Sequence, residues 1–116
     1  MDFQRAIEAH VNWKAELNRY IAKPDHSLNA ETVSGDANCD LGKWLKGEGQ
    51  KFAATAEFKA VVPAHARFHQ AAGEIVRKAD AGQRMSEEVA LGAKSDYALS
   101  SNAVVSALMK LKKIAA

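Results

Sequence analysis

Three histidines and one cysteine carry the chemistry available to this sequence. His65 and His69 stand four residues apart in HARFH. On a helix that spacing puts two imidazoles one turn apart on a single face, where both can reach the same ion. His10, in HVNW, falls on an apolar stripe rather than on a wet face, and Cys39, the only thiol in the chain, opens CDLGKW. A lone cysteine has no internal disulfide partner, so it acts as a metal ligand, a reactive thiol or a small apolar residue. Three imidazoles and one thiolate form a complete tetrahedral set of a kind that zinc accepts. His26, in the turn KPDHSLN, reads as an exposed loop residue outside that set.

The elements that must bring these donors together are helical. The chain has 116 residues, 47% apolar and 26% charged, with two prolines and seven glycines. Alanine, lysine and glutamate are plentiful and no alternating β-branched run occurs, so the expectation is an all-α chain in one domain, 1–116. Phe3, Ile7, His10, Trp13 or Lys14, Leu17 and Ile21 recur at three- and four-residue steps and predict a first helix over 2–22, which Pro24 ends. KPDHSLN and SGDAN read as connections. CDLGKWLKGEG predicts a short helix from Cys39, closed by Gly47 and Gly49, and 50–60 predicts another with Phe52 and Phe58 turned inward. Pro63 suits the first turn of a helix running to about Ala81, with His65, His69, Ala72, Val76 and Ala79 on one side. Ser86 caps a last helix with the stripe Val89, Ala93, Tyr97, Val104, Leu108 and Leu111. The sum is a four- to five-helix bundle around a buried Cys/His metal site.

Several function classes are excluded on composition. A net charge of +2, without a basic face interleaved with aromatics, argues against nucleic-acid binding. No run approaches the roughly 20 apolar residues that span a bilayer, and the N-terminus lacks a signal-peptide apolar core. With a single cysteine, the chain is expected in the reducing cytoplasm. A site filled by four protein ligands has no open position for substrate or activated water, and no phosphate loop or other catalytic set is visible, so no enzyme activity is expected. A di-iron carrier needs more histidines and partnered carboxylates than the sequence supplies.

HVNW (10–13), CDLGKW (39–44) and HARFH (65–69), in this order and separation, resemble the chemoreceptor zinc-binding domain family. Its pattern is a histidine with an aromatic three residues later, then C-x-[apolar]-G-x-[aromatic], then H-x-x-x-H. The resemblance implies that His10, Cys39, His65 and His69 are the ligands of one zinc ion per chain. It implies that Trp13, Leu41, Gly42 and Trp44 are motif positions without a ligand role. For these, packing is the physical reading: Trp13 can wall the site, and Gly42 lets the cysteine-bearing helix sit close against a neighbour, while plain core filling is the simpler account of both tryptophans.

The resemblance further implies a sensory role, since such domains occur in bacterial chemotaxis receptors and diguanylate cyclases whose output responds to zinc or oxidant. The sequence contains neither a receptor hairpin nor a cyclase domain, so the expectation is action on a partner in trans, or on an output domain of a longer protein. A homodimer formed through the last helix is also expected, the alternative being that the stripe of that helix only completes the domain's own core. The alternative is a helical interaction module in which zinc is a permanent structural clamp.

Overall fold

The computed structural model describes residues 2–37 and 39–115, and no strand occurs among them. Each helix begins where a short polar side chain can satisfy the free N–H groups of the first turn. Helix α1 (Phe3–Ala22) starts from Asp2, whose carboxylate accepts from the Arg5 N–H at 3.0 Å, and it stops before Pro24. Helix α2 (Ala30–Ser34) is capped by Asn29, which accepts from Glu31 and Thr32. Helix α3 (Asp40–Lys46) is capped by Cys39 itself and ends at Gly47, and a 3₁₀ turn follows over Glu48–Phe52. Helix α4 (Ala56–Asp80) opens on Thr55. It closes in a Schellman arrangement: Gly82 has φ 82°, its N–H donates to Ala79, and the Gln83 N–H donates to Lys78. Helix α5 (Glu87–Leu91) is capped by Ser86, and α6 (Asp96–Ala115) by Ser95, which accepts from the Ala98 N–H at 3.1 Å.

The all-α bundle expected from composition is therefore the observed architecture, built on the long helices α1, α4 and α6. Three local expectations are corrected. Pro63 does not open a helix; it lies inside α4, because Thr55 caps that helix eight residues earlier. Pro63 and Lys59 are both exposed, so the Lys59 carbonyl that loses its helical donor faces water. The helix expected over 50–60 is accordingly divided between the 3₁₀ turn and the start of α4. The last helix is not continuous: Gly92 ends α5 with extended angles, Val89 and Ala93 are exposed, and only Tyr97, Val104, Leu108 and Leu111 of the expected stripe are buried. Helix α2, lying between the two stretches read as connections and sharing only Ser34 with the second, is an addition.

Helix α4 is the central element. Its buried side, from Phe58 and Val61 through His65, Phe68, His69, Ala72 and Val76 to Ala79, meets α6 most extensively and also α1 and α2. Leu17 and Tyr20 from α1, Leu41 from α3, Leu91 from α5, and Val104, Leu108 and Leu111 from α6 are almost fully buried around it. Two close approaches fix the short helices. A Cβ on Gly73 would lie 1.8 Å from Ser34 Oγ, so α2 rests directly on α4. A Cβ on Gly42 would lie 1.8 Å from the Asp36 carbonyl oxygen, so the backbone entering α3 folds tightly over its first turn. The neighbour expected for Gly42 is thus the chain's own preceding loop.

Candidate metal centre

The four donors foreseen from the sequence meet at one point. Their candidate ligand atoms on His10, Cys39, His65 and His69 all lie within 4.8 Å of one another. His65 Nε2 is 3.0 Å from His69 Nε2 and 3.2 Å from Cys39 Sγ, and Cys39 Sγ is 3.6 Å from His69 Nε2. A tetrahedral zinc ion holds ring nitrogens about 3.3 Å apart and nitrogen about 3.6 Å from sulfur, given bonds near 2.0–2.1 and 2.3 Å. The donor set fits such an ion by type and number, and Cys39, His65 and His69 already stand near those separations, while the whole group lies within 4.8 Å.

Helix geometry explains how the imidazoles converge. His65 and His69 share the buried face of α4, one turn apart, with ring centroids 4.6 Å apart and planes at 87°. His10 comes from α1, and its ring stands 5.1 Å from that of His65 and 5.7 Å from that of His69. The outer nitrogen of two rings is pinned to backbone. His10 Nδ1–H donates to the Ala6 carbonyl at 2.7 Å, one turn back in its own helix, and His69 Nδ1–H donates to the Val33 carbonyl of α2 at 2.9 Å. Pinning Nδ1 leaves Nε2 as the lone-pair atom of each ring, aimed at the cluster. His10 Nε2 is buried and has no hydrogen-bond partner among the described residues, a lone pair that a cation would satisfy. His65 Nδ1 is also buried and has no partner among the described residues, so that ring is oriented by packing and by the contacts of its Nε2.

Cys39 differs from the histidines in exposure. They are buried, whereas Cys39 is half-buried at the start of α3. Its sulfur accepts from the Gly42 N–H at 3.4 Å, as an N-cap oxygen would, and the positive end of a helix there favours a thiolate. In the metal-free chain burial outweighs this and pushes the thiol pKa up, with the Gly42 and Leu41 N–H groups opposing. Burial lowers His10 and His69 and takes His65 to about 3, with His69 and His10 adding repulsion at His65. Neutral imidazoles are the form that binds metal.

The aromatic surroundings differ from expectation. The ring set edge-on against His10 and His69 is Phe68, with centroids at 5.0 and 5.3 Å, and it is fully buried. Sequence reading missed it, although it lies within HARFH, next to His69. Trp13 is half-buried at the edge of the core. Trp44 packs away from the donors, against Phe3 at 5.3 Å and Phe52 at 6.1 Å, which is core filling. Val33 was missed as well, because its contribution is a carbonyl on an unforeseen helix. His26 is exposed and lies outside the cluster, as expected, with Nδ1 3.7 Å from Asp80 Oδ1.

Compared with known families, residues 10–76 match the family model described as the chemoreceptor zinc-binding domain. The matched span contains all four donors and more than half of the chain. No curated protein and no solved structure matches the chain.

Proposed function

Since the chain belongs to the chemoreceptor zinc-binding domain family, we propose that it is a sensory module in which His10, Cys39, His65 and His69 hold one zinc ion and occupancy of that site sets helix packing. The observation that carries the reading is the meeting of four donors from three separate segments within 4.8 Å. Bound there, zinc supplies a dication that holds Cys39 as thiolate and joins α1, the start of α3 and α4. The residues do the rest. The Ala6 and Val33 carbonyls hold His10 and His69 in the ligating tautomer, Phe68 closes the apolar side, and Cys39 is the one half-buried residue of the four.

Energy of metal binding that joins segments of a chain is folding energy, so occupancy converts into shape. Two stimuli suit this arrangement: zinc availability, and oxidation of the Cys39 sulfur, which removes its ligand power. Family membership favours a regulatory over a catalytic role, and four protein ligands leave no coordination position for a substrate. The output is a receptor or cyclase partner, in cis or in trans. Pairing with a second copy belongs to the same proposal, supported by Val11 and Met109, exposed along a groove of about 510 Å³ between α1 and α6. Sedimentation at several concentrations tests the pairing.

The decisive experiment is metal analysis of protein purified without added zinc, beside C39A and H65A. About one equivalent in the parent and much less in both variants is expected. A parent free of zinc that also fails to bind it in titration defeats the proposal. Hydrogen exchange before and after a strong chelator or an oxidant then separates sensor from clamp: faster exchange in α1–α4 supports sensing, and unchanged exchange with retained zinc supports the clamp.

A further inference from the structure

Gly73 belongs to none of the sequence motifs around the donors, yet it stands one turn beyond His69 on the buried face of α4. Directly over it lies Ser34, whose hydroxyl folds back to donate to the Ala30 carbonyl at 2.7 Å. A Cβ on Gly73 would stand 1.8 Å from Ser34 Oγ, 2.9 Å from Ser34 Cβ and 3.1 Å from the Ala30 carbonyl oxygen. A side chain there turns the Ser34 hydroxyl away from its place, and the approaches to Ser34 Cβ and to the Ala30 carbonyl oxygen then press α2 outward from α4. The residue before Ser34 is Val33, the side chain of which is buried and the carbonyl of which takes the His69 Nδ1–H at 2.9 Å.

We infer that Gly73 is a positioning residue for the metal centre: by letting α2 rest on α4 it holds the Val33 carbonyl against His69 and so presents His69 Nε2 to the ion. This deepens the zinc reading and rests on it. A ligand ring depends on such an outer partner for its tautomer and direction, and loss of one commonly lowers metal affinity about 10- to 100-fold. His10 provides the contrast inside the same site. Its partner is the Ala6 carbonyl, one turn back in its own helix, so crowding at Gly73 should spare it.

The test uses the full chain with G73A, S34V, S34G and the pair G73A/S34G. The first readout is the ring tautomers in the metal-free protein, from ¹⁵N resonances of histidine; the second is zinc affinity by chelator competition. In G73A, and in S34V, which crowds the same contact from α2, His69 should lose its Nδ1–H tautomer while His10 keeps its own. Zinc affinity should fall about 10- to 100-fold in both. S34G alone should bind like the parent, and G73A/S34G, where the space is restored, should recover both readouts. Parental His69 tautomer and affinity in G73A and S34V overturn the inference, and so does equal disturbance of His10 and His69, or a double variant no better than G73A. A parent that binds no zinc defeats the functional proposal instead, and leaves the tautomer readout to decide the role of Gly73.

Discussion

Cys39 Sγ and His65 Nε2 lie 3.2 Å apart although 26 positions separate them in the chain. Nothing local brings them together. The contact exists because α3 starts at Cys39, with the loop before it folded over Gly42, and because α4 turns His65 toward α1 rather than toward water.

Replacing Cys39 by alanine removes the thiolate and leaves three imidazoles. Zinc affinity is expected to fall by at least tenfold, with some metal retained and the helical circular dichroism little changed, since a half-buried N-cap costs about 1 kcal/mol. Any oxidant response of zinc release should vanish. A C39A protein that holds zinc as tightly as the parent rejects the sulfur as a ligand.

Zinc binding should release a proton. At neutral pH the cluster histidines are neutral, and burial keeps Cys39 as a thiol. Forming the thiolate expels about one proton per ion, so affinity should rise about tenfold for each pH unit between roughly 7 and 8. Calorimetry in buffers of different ionisation heat counts the protons. Zero release, or release unchanged in C39A, contradicts the assignment.

Acid should unfold the metal-free protein early. Folded His65 is held down to about 3, and His10 and His69 are also lowered, whereas the unfolded chain takes up protons near 6.5. The unfolded state therefore binds more protons below about 6.5, and stability falls with falling pH until the folded rings titrate. His65 alone accounts for about 3 kcal/mol by pH 4. Thermal melts of chelator-treated protein from pH 7 to 4 should show a steep loss, much reduced in H65A when each is compared with its own value at pH 7.

Phe68 should matter to both fold and site. It is fully buried and touches the rings of His10, His69 and Tyr97. Phe68→Ala is expected to cost about 3–5 kcal/mol in denaturant unfolding. Phe68→Leu keeps most of the volume and should fold, while binding zinc more weakly than the parent because the edge-on support of two ligand rings is gone. Unaltered affinity in F68L argues that the wall is only filler.

The candidate cluster was legible in the sequence because each of its residues sits at a position where chemistry and periodicity agree. His10 lies on the α1 stripe, His65 and His69 share one face, and Cys39 stands where a helix begins. What escaped notice depends on tertiary contact. Val33 acts through its backbone, which no residue type announces, although Asn29 with Glu31 in the first turn is a helix-start signal that could have revealed α2. Gly73 is one small residue among many until Ser34 is seen above it. Pro63 misled because proline favours a first turn, and only the cap at Thr55 shows that the helix is already under way. The break at Gly92 was hidden by Val89 and Ala93, whose apolar character continues the pattern although both face solvent.

The passage of α4 unbroken through Pro63 has a kinetic consequence. Once that single helix has formed, His65 and His69 would offer the proposed ion a bidentate pair, while the other two donors would be recruited by closing long loops of chain, which is the slower process. A newly synthesised chain should therefore capture its ion on the imidazole pair and complete the cage afterwards, and stopped-flow refolding with cobalt as reporter would show weak early colour before the intense thiolate band. Escape would run in reverse, with the two recruited donors letting go first and the helical pair keeping the last grip.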